Sequence, residues 1–186
     1  MASKRDVVVV VGSLRSGSFS RGVAHALVAL APEALRLRFV EIGQLPLYNQ
    51  DLDEPGRQPA AWLAFREEIK SADAVLFVTP EYNRSVPGVL KNAIDVGSRP
   101  YGQSAWDGKP AAVMSVSPGA LGGFGANHHL RQSLVFLNMP AMQQPEAYVG
   151  HAAGLLSEDG GPATEGAQTF FTGFMTAFAA WIETIL

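Results

Sequence analysis

This 186-residue sequence predicts an α/β fold, a parallel sheet covered by helices on both faces. Three observations carry the prediction. Short apolar runs alternate with amphipathic segments along the chain. The runs are continuously apolar, without polar alternation, which marks strands buried on both sides. Two of them, Val7–Val11 and Ala74–Val78, break abruptly into polar loops and then helices, as strand ends do beside a ligand crevice.

The elements follow in order. Asp6–Val11 is a strand that runs into Gly12. Phe19–Leu30 is a helix, with Phe19, Val23, Leu27 and Leu30 at helical spacing. Leu35–Glu41 is a second strand. Arg57–Ser71 is a helix with Trp62, Phe65 and Ile69 on one side. Ala74–Val78 is a third strand and Pro87–Val96 the next helix, with Pro87 suited to its first position. Lys109–Ser117 is a fourth strand, and Ala126–Leu137 a helix carrying Leu130, Leu134 and Leu137. Met139–Gln143 is the candidate for a short fifth strand. A C-terminal helix closes the chain, with Phe170, Phe174, Phe178, Trp181 and Ile185 on an aromatic face. Right-handed crossovers and five strands favour the flavodoxin-like order 2-1-3-4-5 over the longer six-stranded dinucleotide fold. Residues 1–186 are expected to form a single domain.

Bulk composition excludes several classes. The chain is 47% hydrophobic and 17% charged, so it is globular. A net charge of -3 offers nucleic acid no electrostatic footing. With no cysteine there is no disulfide, thiolate metal site or Fe–S cluster, which fits a cytoplasmic location. Lys4 and Arg5 precede too short an apolar run for a signal peptide. The apolar stretch from Phe170 to Leu186 is shorter than a membrane span and contains Glu183, so it is expected to pack against the sheet or a second subunit. Three segments, Gly43–Gly56, Gly97–Gly108 and Pro145–Pro162, are long loops of the kind that are functional or mobile.

The loop after the first strand, Gly12-Ser-Leu-Arg-Ser-Gly-Ser-Phe-Ser20, is dressed for a phosphate. Ser13, Ser16, Ser18 and Ser20 supply hydroxyls, Arg15 a charge-assisted fork, and the next helix its N-terminal N–H groups. Ser18 stands where a P-loop places its lysine, so nucleotide hydrolysis lacks its cation, and the Gly-x-Gly-x-x-Gly fingerprint is absent. Ser18 also suits a plain N-cap. The loop after the third strand, Thr79-Pro-Glu-Tyr-Asn-Arg-Ser-Val-Pro87, is stiffened by Pro80 and Pro87. Asn83 both donates and accepts, and Tyr82 offers a ring and a hydroxyl, which suits a flat heterocycle. Lys91 and Asp95 are spaced for an ion pair on a solvated helix face. The glycine-rich segment after the fourth strand, Ser115–Gly125, allows backbone to approach a ring closely. His128 and His129 are adjacent, point about 100° apart on a helix and make no metal pair. No metal site is expected.

These segments resemble the NAD(P)H-dependent FMN reductase family of flavodoxin-like folds, most of all its bacterial quinone and chromate reductase branch, which also includes azoreductases. Leu45-Pro-Leu-Tyr-Asn-Gln-Asp51, Thr79–Asp95, Gly122–Gly125 and Leu130-Arg-Gln132 carry the resemblance together with the first loop. It implies non-covalent FMN, NAD(P)H as co-substrate, and a small-molecule acceptor: quinones, or chromate, azo compounds or free flavin. Hydride passes through the flavin N5 in a ping-pong cycle, so no side chain is expected to be catalytic. The resemblance maps the phosphate site onto Ser13, Arg15, Ser18, Phe19 and Ser20. It maps the isoalloxazine site onto Pro80, Glu81, Tyr82 and Asn83, with Ser117 and Gly119 from the third loop. Two departures stand out: Ser20 replaces a usual asparagine, and Val96 a frequent tryptophan expected near the flavin loop or a subunit contact. Arg84 and Arg99 are candidates for a coenzyme 2′-phosphate and equally for ordinary surface charges. A homodimer or homotetramer is implied, with Tyr48, Tyr101 and Trp106 as candidate interface anchors and Thr172, Thr176 and Ala180 as a close-packing helix face. The alternatives are a flavodoxin-like electron carrier without its own substrate, and a Rossmann-like NAD(P) sensor with Glu41 on the ribose.

Overall fold

Five parallel strands build one sheet in the order 2-1-3-4-5. The computed structural model describes residues 4–186. The strands are β1 (Arg5–Val11), β2 (Leu35–Val40), β3 (Ala74–Thr79), β4 (Ala111–Val116) and β5 (Tyr148–Val149). The helices are α1 (Phe19–Ala29), α2 (Ala60–Lys70), α3 (Gly88–Gly97), α4 (Phe124–Phe136) and α5 (Glu165–Ile185). β3 and β4 are buried along their whole length, as continuous apolar strands between two helix layers must be.

Alternate side chains of each strand feed two cores. Val7, Val9, Val11, Leu76, Val78 and Met114 pack under α1 and α5. Val8, Val10, Val75, Phe77 and Val113 pack under α2, α3 and α4 with Trp62, Phe65 and Trp106. β1 lies between β2 and β3, with Val10 beside Val40 on one side and beside Phe77 on the other. That arrangement sets the loops after β1 and β3 next to each other.

Four expectations need correction. The fifth strand is Tyr148–Val149, not Met139–Gln143. Pro140 and Pro145 have no N–H, so the apolar run between them makes only a single bridge, Ala141 beside Ala111, and the ladder resumes after them. α5 begins at Glu165, where the Thr164 hydroxyl accepts the Ala167 N–H (3.1 Å) as N-cap. Its buried face is Phe171, Phe174, Met175, Phe178 and Ile182, while Phe170 and Ile185 lie at the exposed border. Trp106 is not an interface anchor. It is fully buried and donates its indole N–H to the Ile94 carbonyl (3.0 Å). Val96 likewise points into the core from α3 itself and is fully buried, so it is not a subunit contact.

Candidate active site

The loops leaving β1, β3 and β4 enclose a cleft of about 280 Å³ at the carboxyl edge of the sheet. The strand order reverses beside β1, which opens a crevice there.

In the first loop, the Gly12 N–H donates to the Val78 carbonyl (2.9 Å) and ties the loop to β3. The Ser18 N–H donates to the Arg15 carbonyl (3.1 Å), closing a turn. The Ser18 hydroxyl then accepts the Arg21 N–H (3.2 Å) as N-cap of α1. The Ser18 carbonyl takes the Gly22 N–H (3.0 Å), so the Phe19 and Ser20 amides remain open to an anion. Among the described residues, no acidic side chain occupies this first turn. Ser13, Ser18 and Ser20 are buried, and they line the cleft with Arg15 and Phe19. The Arg15 guanidinium lies over the Phe19 ring, 5.4 Å from its centroid. Ser16 is exposed and stands outside the wall. Arg21 forks onto Glu41 (2.9 and 3.0 Å), and that pair holds the Glu41 carboxyl below its ordinary range. Glu41 is therefore engaged by a guanidinium in this structure.

The second loop is a two-residue hairpin. Tyr82 and Ser85 exchange backbone hydrogen bonds (3.0 Å each), with Asn83 (φ 51°) and Arg84 (φ 65°) between them in the left-handed region. Pro80, Glu81 and Tyr82 line the cleft, and the Tyr82 hydroxyl lies 3.5 Å from the Ser13 hydroxyl across it. Asn83 is exposed and outside the wall. The Glu81 carboxylate turns away to the first turn of α4, where it accepts the Ala126 N–H (3.0 Å). Gly125 makes this docking possible, because a Cβ there would come within 2.8 Å of the Arg84 carbonyl oxygen.

The end of β4 contributes Val116 and the third loop Ser117 and Pro118. The Gly119 amide donates to the Ser117 hydroxyl (3.2 Å), and Gly119 itself is outside the wall. A buried polar network fixes this loop from below. The Ser115 hydroxyl donates to the Gly122 carbonyl (2.7 Å), and the Asn127 amide donates to the Ser115 hydroxyl (3.3 Å) and the Ala147 carbonyl (3.2 Å). Arg131 completes it by donating to Asn127 Oδ1 (2.8 Å). Val116, Pro118 and this network were missed from the sequence. The one available signal was Asn127, a polar residue on the apolar face of Ala126, Leu130 and Leu134.

His128 pairs with the Tyr148 hydroxyl (2.9 Å) and His129 with the Ser85 hydroxyl (3.0 Å), so the two rings point to different partners. Among the described residues, no group of three or more His, Cys, Asp or Glu could hold a metal. No helix is long and apolar enough to cross a membrane among those residues.

A doubly wound parallel sheet in the order 2-1-3-4-5, with three loops meeting at its switch point, defines a protein of flavodoxin-like build. The chain matches the NADPH-dependent FMN reductase family over residues 5–154, and it belongs to that family. It is 63% identical to the quinone reductase of Pseudomonas putida, across 98% of this chain and 97% of that protein. It is 47% identical to a 2-hydroxy-1,4-benzoquinone reductase of a Burkholderia species, across 95% and 96%. The solved structure of FerB, a flavoenzyme NAD(P)H:(acceptor) oxidoreductase from Paracoccus denitrificans, superposes with a TM-score of 0.91 at 43% identity. That match covers 97% of this chain and 98% of FerB.

Proposed function

We propose that this chain is an FMN-dependent NAD(P)H:quinone oxidoreductase with its flavin bound non-covalently in the three-loop cleft. One observation carries the reading. Three buried serine hydroxyls, Arg15 and the open first turn of α1 converge on a cleft whose other walls include Pro80, Tyr82, Val116 and Pro118. A dianionic phosphate matches the first set and a flat apolar ring the second. Bound FMN supplies the redox chemistry, taking a hydride from NAD(P)H and passing two electrons to the acceptor.

The residues of the chain bind and orient. Ser13, Ser18, Ser20 and Arg15 hold the phosphate end. Pro80 and Tyr82 give the ring its apolar surface, with Ser117 on the third loop beside it. Glu81 acts one step back, locking the hairpin to α4. Asn83, at the hairpin tip, and Gly119, behind Ser117, are rim residues of the same site. The names borne by the Pseudomonas putida and Burkholderia relatives support quinones as the acceptor class. One such site per chain, in a homodimer or homotetramer, completes the proposal, and exposed Tyr101 and the Thr172–Thr176–Ala180 face of α5 suit subunit contacts.

Flavin titration tests the assignment. The purified protein takes up FMN with a visible absorbance band, releases it on acid treatment, and binds riboflavin at least tenfold more weakly, because the phosphate loop then loses its charge-assisted contacts. Equal affinity for FMN and riboflavin would sink the phosphate site.

A further inference from the structure

We propose that Arg84 reads the 2′-phosphate of the coenzyme and sets a preference for NADPH over NADH; the inference rests on the NAD(P)H reading above. The 2′-phosphate lies at the far end of the coenzyme from the nicotinamide. Its reader must therefore stand at the mouth of the cleft and not in its wall.

The cations around the cleft differ in how fully they are engaged. Arg21 is forked onto Glu41 through two contacts. Lys91 is held by both oxygens of Asp95 (2.8 and 2.9 Å). Arg131 is spent on Asn127 and the Met142 carbonyl. Arg99 packs over Tyr48 and Tyr101, each 5.8 Å away. Arg84 makes a single 3.2 Å contact with Glu81, whose other oxygen is occupied by the Ala126 amide. Its side chain is 74% exposed. Most of its N–H donors therefore face solvent two residues beyond the cleft-lining Tyr82.

Two further features point the same way. Arg84 occupies the second left-handed position of the hairpin, where glycine is the favoured residue. An arginine there is held in an unfavourable backbone conformation, a recurrent mark of functional sites. Its contact with Glu81, itself pinned to α4, holds the guanidinium in place. Immediately beyond, a groove of about 590 Å³ between α3 and α4 runs past Ser85, Gly88, Lys91, His129 and Gln132. It has room and hydrogen-bonding groups for the adenosine half, and Arg84, one residue before the groove-lining Ser85, would meet the phosphate in a charge-assisted fork.

The test uses Arg84→Gly, which removes the guanidinium while supplying the residue the turn prefers, so the fold is retained. Steady-state kcat/KM is measured for NADPH and NADH with one quinone on the FMN-loaded protein. The parent prefers NADPH by about tenfold or more. Arg84→Gly brings the ratio close to one with NADH values unchanged, and Arg84→Lys restores part of it. Calorimetric titration supplies a readout independent of turnover. Adenosine 2′,5′-bisphosphate binds the parent more tightly than adenosine 5′-phosphate, and Arg84→Gly abolishes the difference. A parent that does not distinguish the two coenzymes, or a glycine variant that still does, overturns the inference. Failure to oxidise either coenzyme refutes the proposed activity instead, and the titration still decides whether Arg84 holds a phosphate.

Discussion

Asp53→Asn removes one charge from a buried ion pair that fastens the long loop after β2 to the helices beneath it. Arg66 on α2 and Asp53 meet at 2.9 Å with side chains only 3% and 6% exposed. Arg66 Nε also donates to the Val96 carbonyl (2.8 Å), and its Nη2 is buried without a hydrogen-bond partner among the described residues. The Gln58 amide donates to the same Asp53 oxygen (2.9 Å). Asparagine keeps the shape and leaves an uncompensated guanidinium in the core. Breaking one side of such a pair costs about 3–5 kcal/mol. In a protein of this size each kcal/mol moves the melting temperature by about 2–4 °C, so the midpoint falls by about 6–20 °C. Burial pushes the Asp53 carboxyl up, but the hydrogen bonds from Gln58 and Arg66 outweigh it and hold the group below its ordinary range. With a depressed folded pKa, the stabilisation is present above the unfolded carboxyl value of about 3.9 and is lost as pH falls through the folded value. The variant therefore loses part of the acid-side dependence of stability. Urea unfolding followed by circular dichroism at neutral and acid pH measures both effects. Replacing the pair together, Asp53→Leu with Arg66→Met, recovers most of the loss. A variant within about 1 kcal/mol of the parent at neutral pH, near what an exposed pair is worth, would refute the argument that this charge is held in a desolvated setting.

Other outcomes follow from the cleft and the surface. Arg15→Ala weakens FMN binding by about 1.5–3 kcal/mol, roughly one to two decades, and leaves the fold intact because the side chain belongs to an exposed loop. Fluorescence titration of the folded variant measures it, and unchanged affinity removes Arg15 from the site. On the proposal that both substrates use one cleft in turn, initial rates with NAD(P)H and a quinone give parallel double-reciprocal lines; intersecting lines require a ternary complex. Light scattering at micromolar concentration gives at least twice the 19.8 kDa chain mass, and a fully active monomer rules out the interface.

Much of the architecture was legible locally. β1, β3 and β4 announce themselves because a strand buried on both faces needs apolar residues at every position, and few other elements have that requirement. α1 is equally plain, since Ser18 carries its N-cap in the chain itself. The phosphate-type loop follows from the same locality, its serines and arginine lying within nine consecutive positions from Gly12 to Ser20.

What the sequence by itself determined was the layered parallel fold, the strand order and the loops that meet at its carboxyl edge. The tertiary structure decided everything that depends on partners distant in sequence. Tyr148 became the last strand because proline at 140 and 145 denied β4 a ladder earlier, which no periodicity reveals. The indole of Trp106 went to the core because the Ile94 carbonyl and the rings of Phe65 and Phe77 were there to receive it. Glu81 became the anchor of the hairpin because the open first turn of α4 lies opposite it. Arg84 shares Glu81 with that helix turn, taking one carboxylate oxygen while the Ala126 amide takes the other. Secondary structure follows from periods of two and 3.6 within a short window, whereas a buried polar group takes whichever partner the packing brings within about 3 Å.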